Sequence, residues 1–514
     1  MSTSRTVVVR PSGMLDNMRH RDRPGIALAI IVTCQLMLVL DGTVVNIALP
    51  KIQNALHFST TNLSWVFNAY MLTFGGLLLL GGRAGDILGR RRIFIAGILL
   101  FTIASLLGGL APAAGWLVTA RAIQGIGAAF AAPSALAFIA VTFPEGSQRN
   151  RALALYSIVA GAGGSLGLLL GGMLTSWVSW RWVLFINVPV GVAVVLLAPL
   201  YIQEPERRPG HLDLAGAFTT TIGMAALVYG FIRASSSGWT DLMTWGSFVL
   251  AVILLALFLI VEMCVRQPLM PLRLFANRNR ASAYLNMLLF FATLYGIFFF
   301  LTQFLQDVLG LSPFMAGVAF LPMTLAMFTT VRSVPRLLPR FGAKPIMVTG
   351  ATLITGGIAW LTQVSATSSY VPGILGPMLF LGIGMGCSIM PLNVVILSGV
   401  RQGDSGAASG ALQTMQQVGG ALGLALLVTV FGAARRAGIK HPLAGVSTQT
   451  LAHNILAHAI ASAFTVATVF AVCALVVVLV AIRTTPLHEP VPSSTDQADD
   501  VFAEDDDIRV DLVS

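Results

Sequence analysis

An all-α membrane protein with fourteen spanning helices is the fold class this sequence predicts, and three observations predict it. The 514 residues are 56% hydrophobic and only 10% charged, whereas soluble domains average roughly 25% charged residues. Runs of about 20 apolar residues, each enough to cross a bilayer at roughly 1.5 Å per residue, recur along the whole chain. Between them, arginine-rich loops alternate with loops poor in basic residues, the asymmetry that orients a multi-pass protein. The net charge of +10 is therefore accounted for by topology. The lipid bilayer, and no nucleic acid, is the expected surrounding.

Residues 1–24 are polar and Arg-rich and read as a cytoplasmic tail. The apolar run that follows is too long for a signal-peptide core and lacks a convincing cleavage site, so it is a retained first span. Spans are expected over 25–49, 63–82, 93–112, 116–140, 152–174, 182–202, 213–232, 243–265, 281–305, 314–333, 345–363, 371–396, 407–431 and 460–482. An even count puts both termini on one side. Loops on that side carry Arg83, Arg90, Arg91, Arg92, Arg149, Arg151, Arg207, Arg208, Arg266, Arg273, Arg278, Arg280, Arg336, Arg340, Lys344 and Arg401. The opposite loops carry only Lys51, Arg181, Arg233, Arg435, Arg436 and Lys440, so both termini are expected in the cytoplasm. Residues 432–459 read as a long external loop, and 483–514 as an acidic, disordered cytoplasmic tail. Cys34, Cys264, Cys387 and Cys473 all fall within apolar runs and read as small core residues, with no disulfide framework.

The chain repeats itself. "GGSLGLLL" (163–170) in the fifth span is echoed by "GGALGLAL" (419–426) in the thirteenth, and both spans run in the same direction. Two parallel halves related by an axis along the membrane normal, with a site near the midplane between them, explain the echo. The domain reading is a six-helix half over 25–202, two inserted helices with their linkers over 203–280, and a second six-helix half over 281–482.

One carboxylate interrupts the first span, Asp41 in "LMLVLDGTVVNIALP" (36–50). An acid at such a depth costs about 2.5–3.5 kcal/mol on insertion scales. On a helical wheel it shares a face with Cys34, Met37, Val45 and Ala48, while Gln35, Gly42 and Asn46 cluster elsewhere. It lies roughly 12 Å from the external end of its helix, and Arg121 lies roughly 8 Å from the same end of the fourth span. Burial disfavours a charged carboxylate and a nearby guanidinium favours it. A group poised between the two exchanges a proton as its surroundings alternate between wet and dry. Asp41 is thus the expected proton carrier and Arg121 the residue that tunes it, with Gln124 one turn further along to share its hydrogen bonds.

Other classes find little support. A phosphate-binding loop of an ATP-driven pump needs a Gly-Lys step, and Lys51, Lys344 and Lys440 each follow another residue. His453 and His458 have no ligand cluster beside them, and no nucleophilic triad suggests itself, so neither an enzyme nor a metal site nor a cofactor is expected.

Several segments carry a resemblance: "LDGTVVNIALP" (40–50), "GRAGDILGRRR" (82–92), "RAIQGIGAA" (121–129), "WRWVLFINVPVG" (180–191) and "GAASGALQTMQQVGGALG" (406–423). In order, and with the right helix count, they resemble the fourteen-span drug:proton antiporters of the major facilitator superfamily. The resemblance covers essentially the whole chain outside the tails. It implies the major facilitator fold, a bacterial cytoplasmic membrane, a proton gradient as energy source, and efflux of drugs or antibiotics by alternating access. The family's fifth-helix antiporter motif, Gly-x-x-x-Gly-Pro-x-x-Gly-Gly, is matched by Gly163, Gly167, Gly171 and Gly172, with Leu168 at the proline position. The resemblance also implies a cytoplasmic gate at Gly82, Asp86, Gly89, Arg90 and Arg91. There Gly89 permits a tight turn, Asp86 caps or pairs, and the arginines anchor the inner face. "PRLLPRFGAKP" (335–345) occupies the corresponding turn of the second half.

Polar side chains on spans of both halves are the candidates for a substrate cavity: Tyr70, Asn286, Tyr295, Gln303, Asn393, Gln413 and Gln416, with Asn68 and Gln417 as weaker ones. Glu262 and Asp307 sit near helix ends, within reach of the interface. With Asp41 the lone acid well inside a span, the simplest stoichiometry is one proton per cycle. Exchange for a neutral substrate then moves one charge, worth about 2.3 kcal/mol per 100 mV, or roughly a fifty-fold gradient. A dication would work against the potential, so neutral or monocationic amphiphiles are the expected substrates of a transporter working as a monomer. The alternatives are export of one self-made antibiotic or metabolite, and import of a nutrient by the same fold.

Overall fold

The computed structural model describes residues 23–205, 207, 210–265, 268–400, 404–440 and 448–483. Its helices are α1 (Pro24–Leu56), α2 (Trp65–Leu88), α3 (Arg90–Gly109), α4 (Ala114–Thr142), α5 (Ser147–Trp177), α6 (Trp182–Phe185), α7 (Asn187–Tyr201), α8 (Leu214–Ser237), α9 (Leu242–Cys264), α10 (Arg278–Gln303), α11 (Pro313–Ala319), α12 (Leu321–Phe341), α13 (Ala343–Leu361), α14 (Gly376–Leu397), α15 (Ser405–Lys440) and α16 (Thr448–Val480). The short α6 and α11 join α7 and α12 to make one span each, so sixteen segments give fourteen spans. Thirteen of these are long and apolar enough to cross a membrane. The other, α13, has 19 residues and carries Lys344 and Pro345 in its first turn.

Helices run past the apolar stretches that announce them, because a helix keeps its backbone bonds internal beyond the hydrocarbon as well as within it. Three expectations change as a result. "GRAGDILGRRR" is mostly helix: α2 continues to Leu88, and the turn is the single residue Gly89, with φ of +109°. Residues 335–341 likewise belong to α12, which contains Pro335 and Pro339, and only Gly342, with φ of +75°, turns the chain. The external loop expected over 432–459 is largely helical too, since α15 reaches Lys440 and α16 begins at Thr448. Its residues 441–447 lie outside the described residues, as do the tails 1–22 and 484–514.

Packing repeats in two sets. In the first, α1 lies against α5, α2 and α3 against α4, and α7 against α1 and α3. In the second, α10 lies against α15, α12 and α13 against α14, and α16 against α10 and α13. The glycines of the echoed motif sit at matching contacts. Gly163, Gly167 and Gly171 of α5 meet Val39, Thr43 and Val44 of α1, while Gly419 and Gly423 of α15 meet Leu288 and Ala292 of α10. Small residues at four-residue spacing let the backbones approach closely where lipid offers no hydrophobic drive. Outside the two sets, α8 packs on α2 and α15, and α9 packs on α8.

Hydrogen bonds join the two sets toward the membrane face opposite the arginine-rich turns. Asn46 of α1 donates to the Phe298 carbonyl at 3.1 Å and to Thr302 Oγ1 at 2.9 Å, both on α10. Gln306 donates back to the Ile47 carbonyl at 2.9 Å. The Phe314 amide of α11 donates to Ser176 Oγ at the end of α5, at 3.0 Å, and Gly172 lies against the Pro313 and Phe314 backbone.

A Cβ placed on Gly171 would stand 2.7 Å from the Val44 carbonyl oxygen, whereas one on Gly164 would meet nothing within 4 Å. Gly171→Val is therefore expected to force α5 off α1, at about 1–3 kcal/mol, and Gly164→Val to be neutral. Thermal unfolding midpoints of the two variants in detergent check this; equal midpoints would remove the ridge's structural role.

Candidate functional site

Three helices meet at Asp41, and two more join through its partners. The carboxylate is fully buried, and Arg121 Nη1 of α4 lies 2.5 Å from its Oδ2. Oδ1 accepts from Gln124 Nε2 of α4 at 3.2 Å and from Asn187 Nδ2 of α7 at 2.9 Å. Gln124 ties the group together: its Oε1 accepts from Arg121 Nη1 at 2.9 Å, and its Nε2 also reaches Ser105 Oγ of α3 at 2.6 Å. Arg121 Nε donates to the Val66 carbonyl of α2 at 3.0 Å, and its guanidinium carbon stands 4.4 Å from the centre of the Tyr70 ring, a cation–π contact. Arg121 Nη2 has no hydrogen-bond partner among the described residues.

Every side-chain partner of Asp41 is a donor, which suits an acceptor-only carboxylate. A proton placed on either oxygen would find no acceptor in that set. Protonation therefore displaces a partner. The donors come from α4 and α7, so the carboxylate ties α1 to both helices. On either side of Asp41, Val39, Thr43 and Val44 of α1 rest on the α5 glycines described above.

Two members of this site have no assigned role in the sequence reading, Asn187 and Ser105. Asn187 lies inside the quoted segment "WRWVLFINVPVG", and the break between α6 and α7 places it as the first residue of α7. That interruption of an apolar run by an amide was the available signal. Ser105 gave none, because a small hydroxyl in a span ordinarily bonds its own helix, as Ser105 also does to the Phe101 carbonyl at 2.8 Å.

At the arginine-rich face, Arg90 pairs with Asp86 at 2.6 Å and reaches the Pro133 carbonyl of α4 at 3.3 Å. The Arg91 amide donates to Glu204 Oε1 at 3.1 Å, and its guanidinium to the Ile202 carbonyl at 3.0 Å. Gly82 lies against Pro133, and a Cβ on Gly89 would stand 3.0 Å from Glu204 Oε1. Each of these partners belongs to the first helix set, so the turn is fastened there to α4 and to the segment after α7. Glu204 is the acid that completes it.

The cavity candidates separate. Tyr70 is buried beneath Arg121 and belongs to the Asp41 site. Asn286 is buried and donates to the Ala474 carbonyl of α16 at 2.8 Å, a helix-to-helix bond beside a cavity of about 20 Å³, room for a single water. Gln303 lines a vestibule at the face opposite the arginines. Tyr295, Asn393, Gln413 and Gln416 are half-buried. Asn393 Oδ1 has no partner among the described residues, and Gln416 reaches only Met287 Sδ, at 3.9 Å. Tyr295 lies against Gly420 of α15, and Gly420 also lies near Met71 of α2. Gly75 of α2 meets Gln417, so the stripe of α2 that carries Asn68, Met71 and Gly75 faces α15. Asn68 lies on that stripe and Gln417 faces it from α15; among the described residues both amide atoms of Asn68 and Oε1 of Gln417 have no hydrogen-bond partner. Unsatisfied amides at this seam are a polar lining without a resident partner.

Comparison with known proteins agrees with this architecture. The model of the Major Facilitator Superfamily matches residues 31–424. The chain is 41% identical over 478 residues to a puromycin resistance protein of Streptomyces alboniger, covering 92% of this chain and 94% of the relative. It is also 41% identical over 411 residues to a cephamycin export protein of Amycolatopsis lactamdurans, covering 79% of this chain and 85% of that one. Among solved structures, a bacterial homologue of the lysosomal transporter Spinster, inward-facing and unoccupied, superposes with a TM-score of 0.63 at 17% identity, covering 91% and 99% of the two chains. That last likeness concerns the fold alone.

Arg121→Leu would leave the Asp41 carboxylate charged in the bundle interior and is expected to cost about 3–5 kcal/mol. Adding Asp41→Leu should recover most of that loss. Unfolding midpoints of the single and double variants measure the coupling, and additive losses would contradict it.

Proposed function

The chain belongs to the major facilitator superfamily, and from that premise we propose that it is a proton-coupled exporter of amphiphilic drugs or antibiotics. The observation that carries the proposal is the sealed Asp41 site, a carboxylate served only by donors from two other helices. Arginine asymmetry puts the arginine-rich face in the cytoplasm and makes the bonded face around Asn46 the external one. In this orientation the described state is closed outside. The cycle then runs as follows. Parting of α1 from α10 admits water to Asp41; a proton from outside takes its place on the carboxylate and Arg121 turns to another partner; the rearranged α1–α4 contact favours the alternate state. Return to the cytoplasmic side restores the donor set and expels the proton inward. Substrate moves outward between the halves, along a seam where Asn68, Tyr295 and Gln417 offer polar contacts and α10 offers aromatic ones.

The names of the two relatives, one a resistance protein and one an export protein, support efflux over uptake. Each name carries a single compound, which favours a narrower second reading, export of one antibiotic. A disruption strain screened against a compound panel, with and without an uncoupler, separates the two. Broad hypersensitivity supports multidrug efflux, one affected compound supports the narrow reading, and a growth defect on one nutrient supports import instead.

Asp41→Asn is expected to abolish uptake of ethidium driven by a pH gradient in everted vesicles while leaving the protein inserted; normal coupled transport in that variant would remove Asp41 from the mechanism. With one coupling acid, wild-type vesicles should accumulate monocationic ethidium and fail to accumulate the dicationic propidium. Equal accumulation of both dyes would require a second coupling group.

A further inference from the structure

We propose a second binding site, in the vestibule between the ends of α1, α10, α15 and α16, that holds the cationic, N–H-bearing end of an amphiphilic ligand. The proposal rests on the export reading, in whose orientation this vestibule is the last chamber before release. Its volume is about 450 Å³, within the range of small-molecule sites. Gln303 lines it, fully buried, with Nε2 held by the Phe299 carbonyl at 3.4 Å and Oε1 without a hydrogen-bond partner among the described residues. A buried acceptor left unpartnered in a roomy cavity is one that a ligand donor can satisfy.

Asp307 supplies the charge. It is half-buried, lines the same vestibule and makes no ion pair among the described residues. The backbone explains why the two groups act together. Phe304–Val308 forms a π-helical turn, closed by the Leu309 amide on the Phe304 carbonyl at 3.0 Å. In so wide a turn residues four and five apart stack, which brings Gln303 and Asp307 to one side of the chain. Such turns are frequent at functional sites.

Other groups narrow the ligand's chemistry. Arg435, on the wall, is engaged by Thr60 Oγ1 at 2.7 Å, and His453 lines the same wall. Ile439, Leu451, Ile455 and Leu456 give the α15–α16 side an apolar stretch, while Gln53 and Asn54 of α1 add polar groups on the opposite side. Two oxygen acceptors beside an aliphatic wall fit a molecule with N–H donors and one positive charge at one end and hydrocarbon at the other.

The test uses the exposed Ala452 on the vestibule wall. In right-side-out vesicles Ala452→Cys is labelled with a membrane-impermeant maleimide, the unsubstituted chain gives the background, and ethidium is the probe. Ethidium should slow labelling at least fivefold; Asp307→Asn or Gln303→Leu should bring the rate to within twofold of the dye-free value, and Asp307→Glu should preserve protection. Adding Asp41→Asn should leave protection in place. Labelling indifferent to ethidium, or protection that persists in both Asp307→Asn and Gln303→Leu, overturns the proposal. Protection that depends on Asp307 in a chain whose Asp41→Asn variant still couples to protons would sink the export mechanism and leave the vestibule site standing.

Discussion

The ion pair between Asp41 and Arg121 is the constraint around which the first helix set is arranged. Two charges removed from water in a span are tolerated only with close geometry and further hydrogen bonds on the remaining lone pairs and protons. Those bonds come from separate elements, and each brings its helix to a fixed place. Gln124 is one turn from Arg121 on α4, Asn187 opens α7, Ser105 anchors α3 to Gln124, and the Val66 carbonyl ties in α2. The helices that must come together for this are brought close by glycine: Gly125 of α4 against Tyr70 and Phe74 of α2, Gly127 of α4 against Gly97 and Phe101 of α3. Small residues give the approach, and the charged centre gives the register.

Between the two helix sets the chemistry changes. Within a set, glycine stripes bring backbones together. Across the seam, single amides and hydroxyls do the joining: Asn46 to α10, Gln306 to α1, and Thr414 to the Gly75 carbonyl at 3.2 Å. Hydrogen bonds between helices are typically worth less than about 1 kcal/mol each in a membrane. Such bonds add little to the cost of opening the boundary; the close contacts there are local, at Gly172 and Gly317 between α5 and α11 and at Gly75 and Gly420 between α2 and α15.

How much of this could be read from the sequence depends on how improbable each residue is in its setting. An acid and a guanidinium in apolar runs stand out, and helical rise alone gave them matching depth, so Asp41, Arg121 and Gln124 were legible. Asn187 and Ser105 were not, since short polar side chains are ordinary in spans and their partners are set by packing between helices distant in sequence. The same limit explains Tyr70, whose polarity suggested a cavity while its ring serves Arg121, and Gln303, which a π-helical turn carries to the vestibule. Helix ends such as Leu88, Phe341 and Lys440 escaped because apolar runs measure the hydrocarbon core, not the helix. Glu204 follows the sixth span in a linker, and nothing in its neighbourhood marks it as the partner of Arg91.

The departure at Leu168 shows which part of a motif carries the physics. A proline there would remove a backbone hydrogen bond and bend α5. Leu168 is instead buried, and its backbone lies against Gly317 of α11, so at this level α5 meets the second half by close backbone contact. One turn later Gly171 meets α1 while Gly172 meets Pro313 and Phe314. Adjacent glycines thus touch both halves at once, a single helix bearing on the helix that holds Asp41 and on the partner it moves against. Any displacement of α1 large enough to release Arg121 from Asp41 therefore changes the room that Gly167 and Gly171 leave on α5, and with it the contact that α5 makes with α11.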